Sequence, residues 1–249
     1  MSSTAIIQGM WVGPRLSKME QLSICSFLAN GHGYELYVYE DVAGMPRGVT
    51  VRDAGQILPP SMIFEYKDRK SHAGFGDFFR FKLLMEKGGW WADLDVICLK
   101  PFDFNAKYVF SSEHCIQSQR LPSGREKVNV GVIKAPPGDP SMTYAWEVCS
   151  SRDPKLIKWG EVGPQLMAEV VSRFSLEGYV HPAARFCPIP WSMWRTVVAP
   201  DQQWYFDDST TAVHLWNDLW RRHEQDKNLD YPPECLYEVL KRKYLTARR

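Results

Sequence analysis

The sequence lacks an excess of charge of either sign, a long apolar run and a closely spaced cysteine pair. Its 249 residues include 30 Lys and Arg against 29 Asp and Glu, which gives a formal net charge of +1. This balance is unlike that of a polybasic nucleic-acid-binding protein, and 45% hydrophobic residues are too many for a disordered chain. No segment approaches the roughly 18 uninterrupted apolar residues of a transmembrane helix. We therefore expect a globular protein that neither spans a membrane nor binds nucleic acid.

The six cysteines are widely scattered, and none forms a C-x-x-C pair. We therefore expect neither a zinc ribbon nor a dithiol redox motif. We expect reduced cysteines whose thiols are mostly buried. The N-terminal segment has no basic region followed by a sustained apolar run, so we interpret it as a first strand and expect a cytoplasmic protein. The C-terminal segment KRKYLTARR has five basic residues of nine. It is either a solvated helix end or a weak peripheral contact with an anionic membrane.

Strand and helix patterns alternate through the N-terminal part of the chain. Apolar runs predict strands over Ala5–Val12 and Tyr34–Tyr39. Between them, Ser17 followed by Glu20 forms a capping-box pattern, which predicts a helix that ends near Asn30. This β-α-β order predicts an α/β fold with a mainly parallel sheet flanked by helices.

The rest of the chain continues this alternation without internal repeats or low-complexity linkers. We therefore expect a single domain over residues 1–249. Asp77 is predicted in the first turn of its helix, where a carboxylate is favourable, and Gly88-Gly89 ends that helix. Val49–Leu58 is ambiguous and ends at Pro59-Pro60. The other predicted elements are helices over Asp77–Lys87, from about Pro164 to Phe174 and over Pro233–Tyr244, strands over Trp90–Leu99, Lys127–Ile133 and Ala212–Trp216, and loops over Ala135–Pro140 and Pro182–Pro190.

Asp93 and Asp95 interrupt the otherwise apolar strand predicted over Trp90–Leu99. Aspartate is disfavoured in strands, and an unpaired buried carboxylate is costly. Residues i and i+2 of a strand share one face at roughly 7 Å, and the C-terminal ends of strands in α/β sheets face the ligand crevice. Such a pair suits a divalent cation completed by substrate phosphates. The alternative is that both are solvated or paired with Arg80 and Lys100.

Asp77 and Arg80 add to this candidate site because they share a helical face at spacing i, i+3. The Gly-Gly stop would pack their helix beside the strand that carries Asp93 and Asp95. Asp77 and Arg80 either converge with the aspartate pair on one cleft or form an ordinary intrahelical ion pair.

The order D-x-x-R, a helix ending in Gly-Gly, an aromatic pair and D-x-D resembles glycosyltransferase family 32, a group of retaining enzymes with a DXD-containing sugar-binding region. The catalytic domains of the clostridial glucosylating toxins are more distantly similar. The strong part of the resemblance covers Ser71 to Phe102. It implies a GT-A-like fold with a Rossmann-like central sheet, in which residues 1–105 hold the nucleotide-sugar and metal. Residues 106–249 would then hold the acceptor and close the site.

The resemblance also implies roles for individual residues. Asp95 would bind Mn²⁺ or Mg²⁺ directly, and Asp93 would contact the ribose and the metal or its water. Asp77 and Arg80 would hold sugar hydroxyls, with Arg80 also near the diphosphate, where its forked donors suit anionic oxygens. Trp11 would stack on the nucleotide base; the alternative is a core tryptophan.

Weaker similarities in the second half imply further contacts. His214 is either a third metal ligand or a structural histidine, and imidazole suits Mn²⁺ better than Mg²⁺. Other expected contacts are Trp216 and Trp220 over the diphosphate or acceptor, Asn129 and the helix start at Gly163-Pro164 on the acceptor side, and Glu161 on a sugar.

The function implied is metal-dependent, retaining transfer of a hexose or N-acetylhexosamine from a nucleotide-sugar to a saccharide or glycolipid acceptor. UDP-sugars are favoured over GDP-sugars, and cell-surface polysaccharide or glycan biosynthesis is the expected role. No isolated carboxylate stands out as a nucleophile, so front-face transfer is favoured over a double displacement. Two other classes stay open: a glycoside or phosphoester hydrolase using Asp93 and Asp95, and a carbohydrate-binding protein without activity.

Overall fold

The computed structural model describes residues 5–66, 69–114 and 127–245. Its eight strands are β1 (Ile6–Trp11), β2 (Gly33–Val38), β3 (Val49–Asp53), β4 (Gly89–Ala92), β5 (Val96–Cys98), β6 (Val109–Glu113), β7 (Lys127–Ala135) and β8 (Ala212–His214). Six of them form a sheet of order β3-β2-β1-β4-β7-β6, and β5 and β8 form a separate antiparallel pair. In the larger sheet β3, β2, β1 and β4 are parallel, and β7 is antiparallel to both β4 and β6. This mostly parallel sheet confirms the predicted α/β class.

Helices cover both faces of the sheet. They are α1 (Lys18–Ala29), α2 (Ala73–Lys87), α3 (Pro140–Ser150), α4 (Leu166–Arg173), α5 (Ala183–Phe186), α6 (Asn217–Arg222) and α7 (Leu236–Leu245). One hydrophobic core contains residues of α1, α7 and the β5–β8 pair, and a second contains residues of α2, α3 and α4. Burial of these two apolar surfaces is the main stabilisation of the fold.

The predicted β-α-β start is confirmed, including its cap. The Ser17 side chain accepts a hydrogen bond from the Met19 amide, and the Glu20 carboxylate accepts one from the Ser17 amide at 2.7 Å. Both halves of the capping box are therefore present, and α1 ends at the cap residue Asn30. The chain then enters β2, which pairs in parallel with β1.

The prediction that Asp77 lies in the first turn of its helix is wrong. Helix α2 begins at Ala73, so two glycines, Gly74 and Gly76, lie within it. A Cβ on Gly74 would come within 2.8 Å of the Tyr66 ring, so glycine lets that ring pack against the first turn. Asp77 consequently lies in the second turn and is buried, with 6% exposure, instead of interacting with the helix N-terminus.

The single strand predicted over Trp90–Leu99 is also wrong. The chain leaves the sheet after Ala92, and the Val96 amide donates to the Asp93 carbonyl at 3.0 Å, which closes a turn. Strand β5 then pairs with β8 instead of continuing the larger sheet. Aspartate favours turns over strands, which accounts for the break. Asp93 therefore begins this turn and Asp95 lies within it, so the two do not share one face of a strand.

Several other elements depart from the sequence-based expectations in smaller ways. The ambiguous segment contains β3, and the loop predicted over Pro182–Pro190 contains α5. A π-helical turn over Glu161–Gln165 contains Pro164, the residue at which the sequence predicts a helix start. Strand β6 and helix α3 were not predicted, although Asp139 caps α3 and Pro140 starts it.

The five described cysteines are buried thiols, whereas Cys115 lies outside the described residues. Residues 246–249 of the basic segment also lie outside them. In the described ranges no helix is both long and apolar enough to cross a membrane.

Candidate active site

A cleft of about 590 Å³ opens at the edge of the sheet where β1, β4 and β6 end and β7 begins. The carboxyl ends of the parallel strands bring together residues from distant parts of the chain at this edge. Among the lining residues are Asp77, Arg80, Asp93, Asp95, Asn129, His214, Trp11 and Trp216. All eight residues that the sequence predicts for the site therefore line one cavity.

Asp93, Asp95 and His214 form a compact cluster, because one ligand atom from each lies within 4.8 Å of the others. The pairing of β5 with β8 places His214 opposite Val96, next to Asp95. Oδ2 of Asp95 lies 3.1 Å from Nε2 of His214 and accepts a hydrogen bond from the Asn217 amide at 2.7 Å. Two carboxylates and one imidazole are suitable ligands for Mn²⁺, and this donor set fits the ion expected from the sequence.

Asp93 is held in one orientation by its Oδ1 atom. This atom accepts a hydrogen bond from Nε1 of Trp91 at 2.8 Å and lies 3.1 Å from the Arg80 guanidinium. Oδ2 faces the other way, because a Cβ on Gly131 would lie 3.6 Å from it and 3.4 Å from Cε1 of His214. The second carboxylate oxygen is therefore directed towards the cluster.

Asp95 and His214 form a buried ion pair. Burial alone would raise the pKa of the Asp95 carboxyl, but His214 and the Asn217 amide hold it below its usual value. Burial alone would lower the pKa of His214, but the charge and hydrogen bond of Asp95 raise it well above its usual value. On its other side, Nδ1 of His214 lies 3.8 Å from the Cys187 thiol. A partner on the second ring nitrogen fixes the imidazole with Nε2 towards Asp95.

Asp77 and Arg80 form the second charged pair of the cleft. The Arg80 guanidinium lies 3.4 Å from Asp77 and also donates to the Val130 carbonyl. Burial raises the pKa of Asp77 to about 7, although Arg80 acts in the opposite direction. The guanidinium is divided between Asp77 and Asp93, so it compensates Asp77 only in part.

Gly163 provides the surface against which Asp77 packs. A Cβ on Gly163 would lie 2.6 Å from Oδ2 of Asp77, closer than such contacts occur, so no larger residue fits without displacing the carboxylate. The π-helical turn that contains Gly163 thus lies directly beside Asp77.

Two regions of the chain match family profiles. The glycosyltransferase sugar-binding region containing a DXD motif matches residues 31–113, and the α1,4-glycosyltransferase conserved region matches residues 155–245. The first contains Asp77, Arg80, Asp93 and Asp95, and the second contains Gly163 and His214. This chain is a DXD-containing glycosyltransferase. The match favours this assignment over the hydrolase and the carbohydrate-binding protein.

The fold of this glycosyltransferase is similar to solved structures of low sequence identity. The PaToxG glycosyltransferase is 17% identical, with 70% of this chain and 72% of that chain covered at a TM-score of 0.50. The galactosyltransferase LgtC, solved with donor and acceptor sugar analogues, is 10% identical over 92% and 98% of the two chains, with a TM-score of 0.48. GlyE of Streptococcus pneumoniae is 10% identical over 98% and 64%, with a TM-score of 0.46. No curated protein sequence matches significantly. The GT-A-like fold is confirmed.

The three tryptophans that the sequence predicts for the site lie in different environments. Trp11 lines the cleft, and its Nε1 is buried with no hydrogen-bond partner among the described residues. The Trp216 ring lies 4.1 Å from the His214 ring, and its Nε1 donates to the Ile189 carbonyl at 2.8 Å. Trp220 is fully buried and outside the cleft lining, because α6 directs it into the core. The expectation that it covers the diphosphate or acceptor is therefore wrong.

Two further expectations concern the acceptor side. Asn129 is buried and lines the cleft, as does Pro164. The Glu161 carboxylate instead accepts a hydrogen bond from the Lys158 amide at 3.0 Å and lies outside the lining. Glu113 and Lys127 line the cleft and Cys187 contacts His214, although the sequence alone predicts no role for any of the three. No local sequence motif marks these three residues. The residues that they contact lie far away in the sequence, or in strand β6, which the sequence does not predict.

Proposed function

We propose that this glycosyltransferase is metal-dependent and uses a nucleotide-sugar donor. The Asp93–Asp95–His214 cluster in the lining of the cleft supports the proposal, because its three ligand atoms already lie within 4.8 Å of one another. The mixed oxygen and nitrogen ligands favour Mn²⁺ over Mg²⁺, which prefers oxygen ligands alone. When bound there, the ion would neutralise charge on the diphosphate leaving group.

The positions of further side chains in the cleft support additional contacts with the donor. Asp77 would accept hydrogen bonds from sugar hydroxyls, and Arg80 would fix both Asp77 and Asp93, to which its guanidinium lies 3.4 and 3.1 Å away. Trp11 offers an aromatic face at the end of β1, suitable for stacking on a nucleotide base. Trp216 packs on His214 and would hold the imidazole in place beneath the donor.

The acceptor would be a saccharide or glycolipid, and the transferred group a hexose or N-acetylhexosamine. A UDP-sugar donor, retention of configuration and a cytoplasmic role in cell-surface polysaccharide or glycan biosynthesis stay predictions from the sequence. The single domain over residues 1–249 and its division into two halves at residue 105 also stay predictions from the sequence. Both proposed halves contribute to the cleft, since Asp93 and His214 meet there.

Release of nucleotide diphosphate from a panel of UDP- and GDP-sugars, with Mn²⁺ and with EDTA, tests this proposal. At least one donor should turn over with Mn²⁺, EDTA should stop the reaction, and Asp95→Asn should abolish it. Electron paramagnetic resonance of free Mn²⁺ should show weaker binding by the same variant. Asp208→Asn, whose side chain is fully exposed, is the matched control. Full activity of Asp95→Asn, or full activity in EDTA, would show that the metal assignment is wrong.

A further inference from the structure

The cleft contains a buried carboxylate to which the proposed donor and metal contacts assign no role. Glu113 is the last residue of β6, only 7% exposed, and lines the cleft. Its position at the carboxyl edge of the sheet is the position where α/β sheets bind ligands. Burial of a carboxylate is costly unless it is paired or used, so its surroundings show what it can do.

Glu113 lies in a continuous chain of hydrogen bonds that leads to Asp93. Its Oε2 accepts from Nδ2 of Asn129 at 2.8 Å, and Oδ1 of Asn129 accepts from the Gly131 amide at 2.7 Å. The Gly131 carbonyl accepts in turn from the Asp93 amide at 2.9 Å. The Glu113 carboxylate is therefore fixed relative to the metal cluster, with Asn129 between them.

Lys127 completes the polar group. It lies opposite Glu113 in the β6–β7 register, and its ammonium is 3.1 Å from Oε1. The Lys127 side chain is 40% exposed and lines the cleft, so its ammonium can reach a bound ligand. One carboxylate and one ammonium have no net charge, which suits a neutral ligand that both donates and accepts hydrogen bonds.

The two faces of β7 differ in character. Val128 and Val130 alternate with Lys127, Asn129 and Gly131, and both valines are buried in the core that contains α2, α3 and α4. Lys127, Asn129 and Gly131 on the other face line the cleft, which Val130 also borders. Because side chains alternate along a strand, one face of β7 packs in the core and the other presents polar side chains to the cleft.

We propose that Glu113, Lys127 and Asn129 form the acceptor subsite, and that the Glu113 carboxylate accepts a hydrogen bond from a hydroxyl of a neutral saccharide. The inference rests on the proposed function. The acceptor occupies the space beside Asn129, between Glu113 and the metal cluster. Lys127 donates to a second oxygen of the same sugar.

The ratio of glycosyl transfer to donor hydrolysis tests this subsite, because only transfer uses the acceptor. The donor is the one that turns over best with Mn²⁺, and the acceptors are methyl hexosides and lactose. Glu113→Gln should lower the ratio roughly 10–100-fold, mainly through a higher KM for the acceptor, since a hydrogen bond to a charged group is lost. Glu86→Gln, which removes an ion-paired carboxylate outside the cleft lining, should leave the ratio unchanged.

The outcomes separate this proposal from the proposed function. If the unaltered protein neither binds Mn²⁺ nor turns over a donor, the proposed function fails. If it does both, but Glu113→Gln keeps the ratio or loses hydrolysis and transfer equally, the subsite is wrong. If no neutral saccharide raises nucleotide release above hydrolysis, the acceptor class is wrong. Lys127→Met, with Mn²⁺ binding as a check of folding, tests the same ratio if Glu113→Gln does not fold.

Discussion

Replacing Asp77 with asparagine should stabilise the metal-free protein at neutral and alkaline pH. The Asp77 carboxylate is buried against Gly163 and has only part of the Arg80 guanidinium as its counter-charge. Burial therefore raises the pKa of Asp77 to about 7. A folded protein that carries an ionised group in such a place has given up stability for function, a common feature of active sites.

The sign and size of the effect follow from proton binding. The ordinary pKa of this carboxyl is 3.8. Between about pH 4 and about pH 7 the unfolded chain has released the proton while the folded protein retains it. The free energy of unfolding therefore falls by about 1.4 kcal/mol per pH unit as the pH rises through this window. Above about pH 7 the penalty is constant at about 4 kcal/mol, and asparagine, which carries no charge, avoids it.

Urea unfolding in EDTA at about pH 5 and about pH 8 measures this difference. The free energy of unfolding of Asp77→Asn, relative to that of the unaltered protein, should increase by about 2–3 kcal/mol from the lower pH to the higher pH. The fully exposed Asp208→Asn should show no such growth. The same Asp77→Asn protein should lose donor turnover, since asparagine has one acceptor oxygen where the carboxylate has two. A stability difference that is independent of pH, or that shrinks towards pH 8, would refute the reasoning.

Two further predictions concern residues that support Asp77 and His214. Gly163→Ala should lower both stability and donor turnover, because its Cβ would lie 2.6 Å from Asp77, whereas Gly178→Ala, where a Cβ meets open space, should change neither. Equal unfolding midpoints and rates for the two variants would contradict this. Cys187→Ala should weaken Mn²⁺ binding roughly tenfold in electron paramagnetic resonance, because His214 loses the partner of Nδ1, and Cys187→Ser should lose less. Equal affinities in all three proteins would count against this role.

Local sequence patterns predicted the parts of the fold that depend on neighbouring residues. The capping box at Ser17 and the parallel β-α-β start are set within a few turns of chain, and both are confirmed. The start of α2 was misplaced because Gly74 and Gly76 resemble a helix boundary. The structure shows that Gly74 makes room for Tyr66, a packing requirement that helix propensity does not contain.

The candidate site was predicted where several chemically distinctive residues lie close in sequence. Asp77, Arg80 and Asp93 lie within one short block, and the structure brings them into contact through Arg80. Glu113 and Cys187 could not be identified in this way. A lone glutamate and a lone cysteine are common, and their relevance depends on long-range contacts such as that of Cys187 with His214.

The wrong strand prediction bears directly on how the metal cluster forms. The turn between Asp93 and Val96 releases Asp95 from the larger sheet, and β5 then pairs with β8. That pairing brings in His214, 119 residues from Asp95, and gives ligand atoms within 4.8 Å. The cluster thus depends on the contact between two separate sheets, so weakening the β5–β8 pair should weaken metal binding even where no ligand is changed.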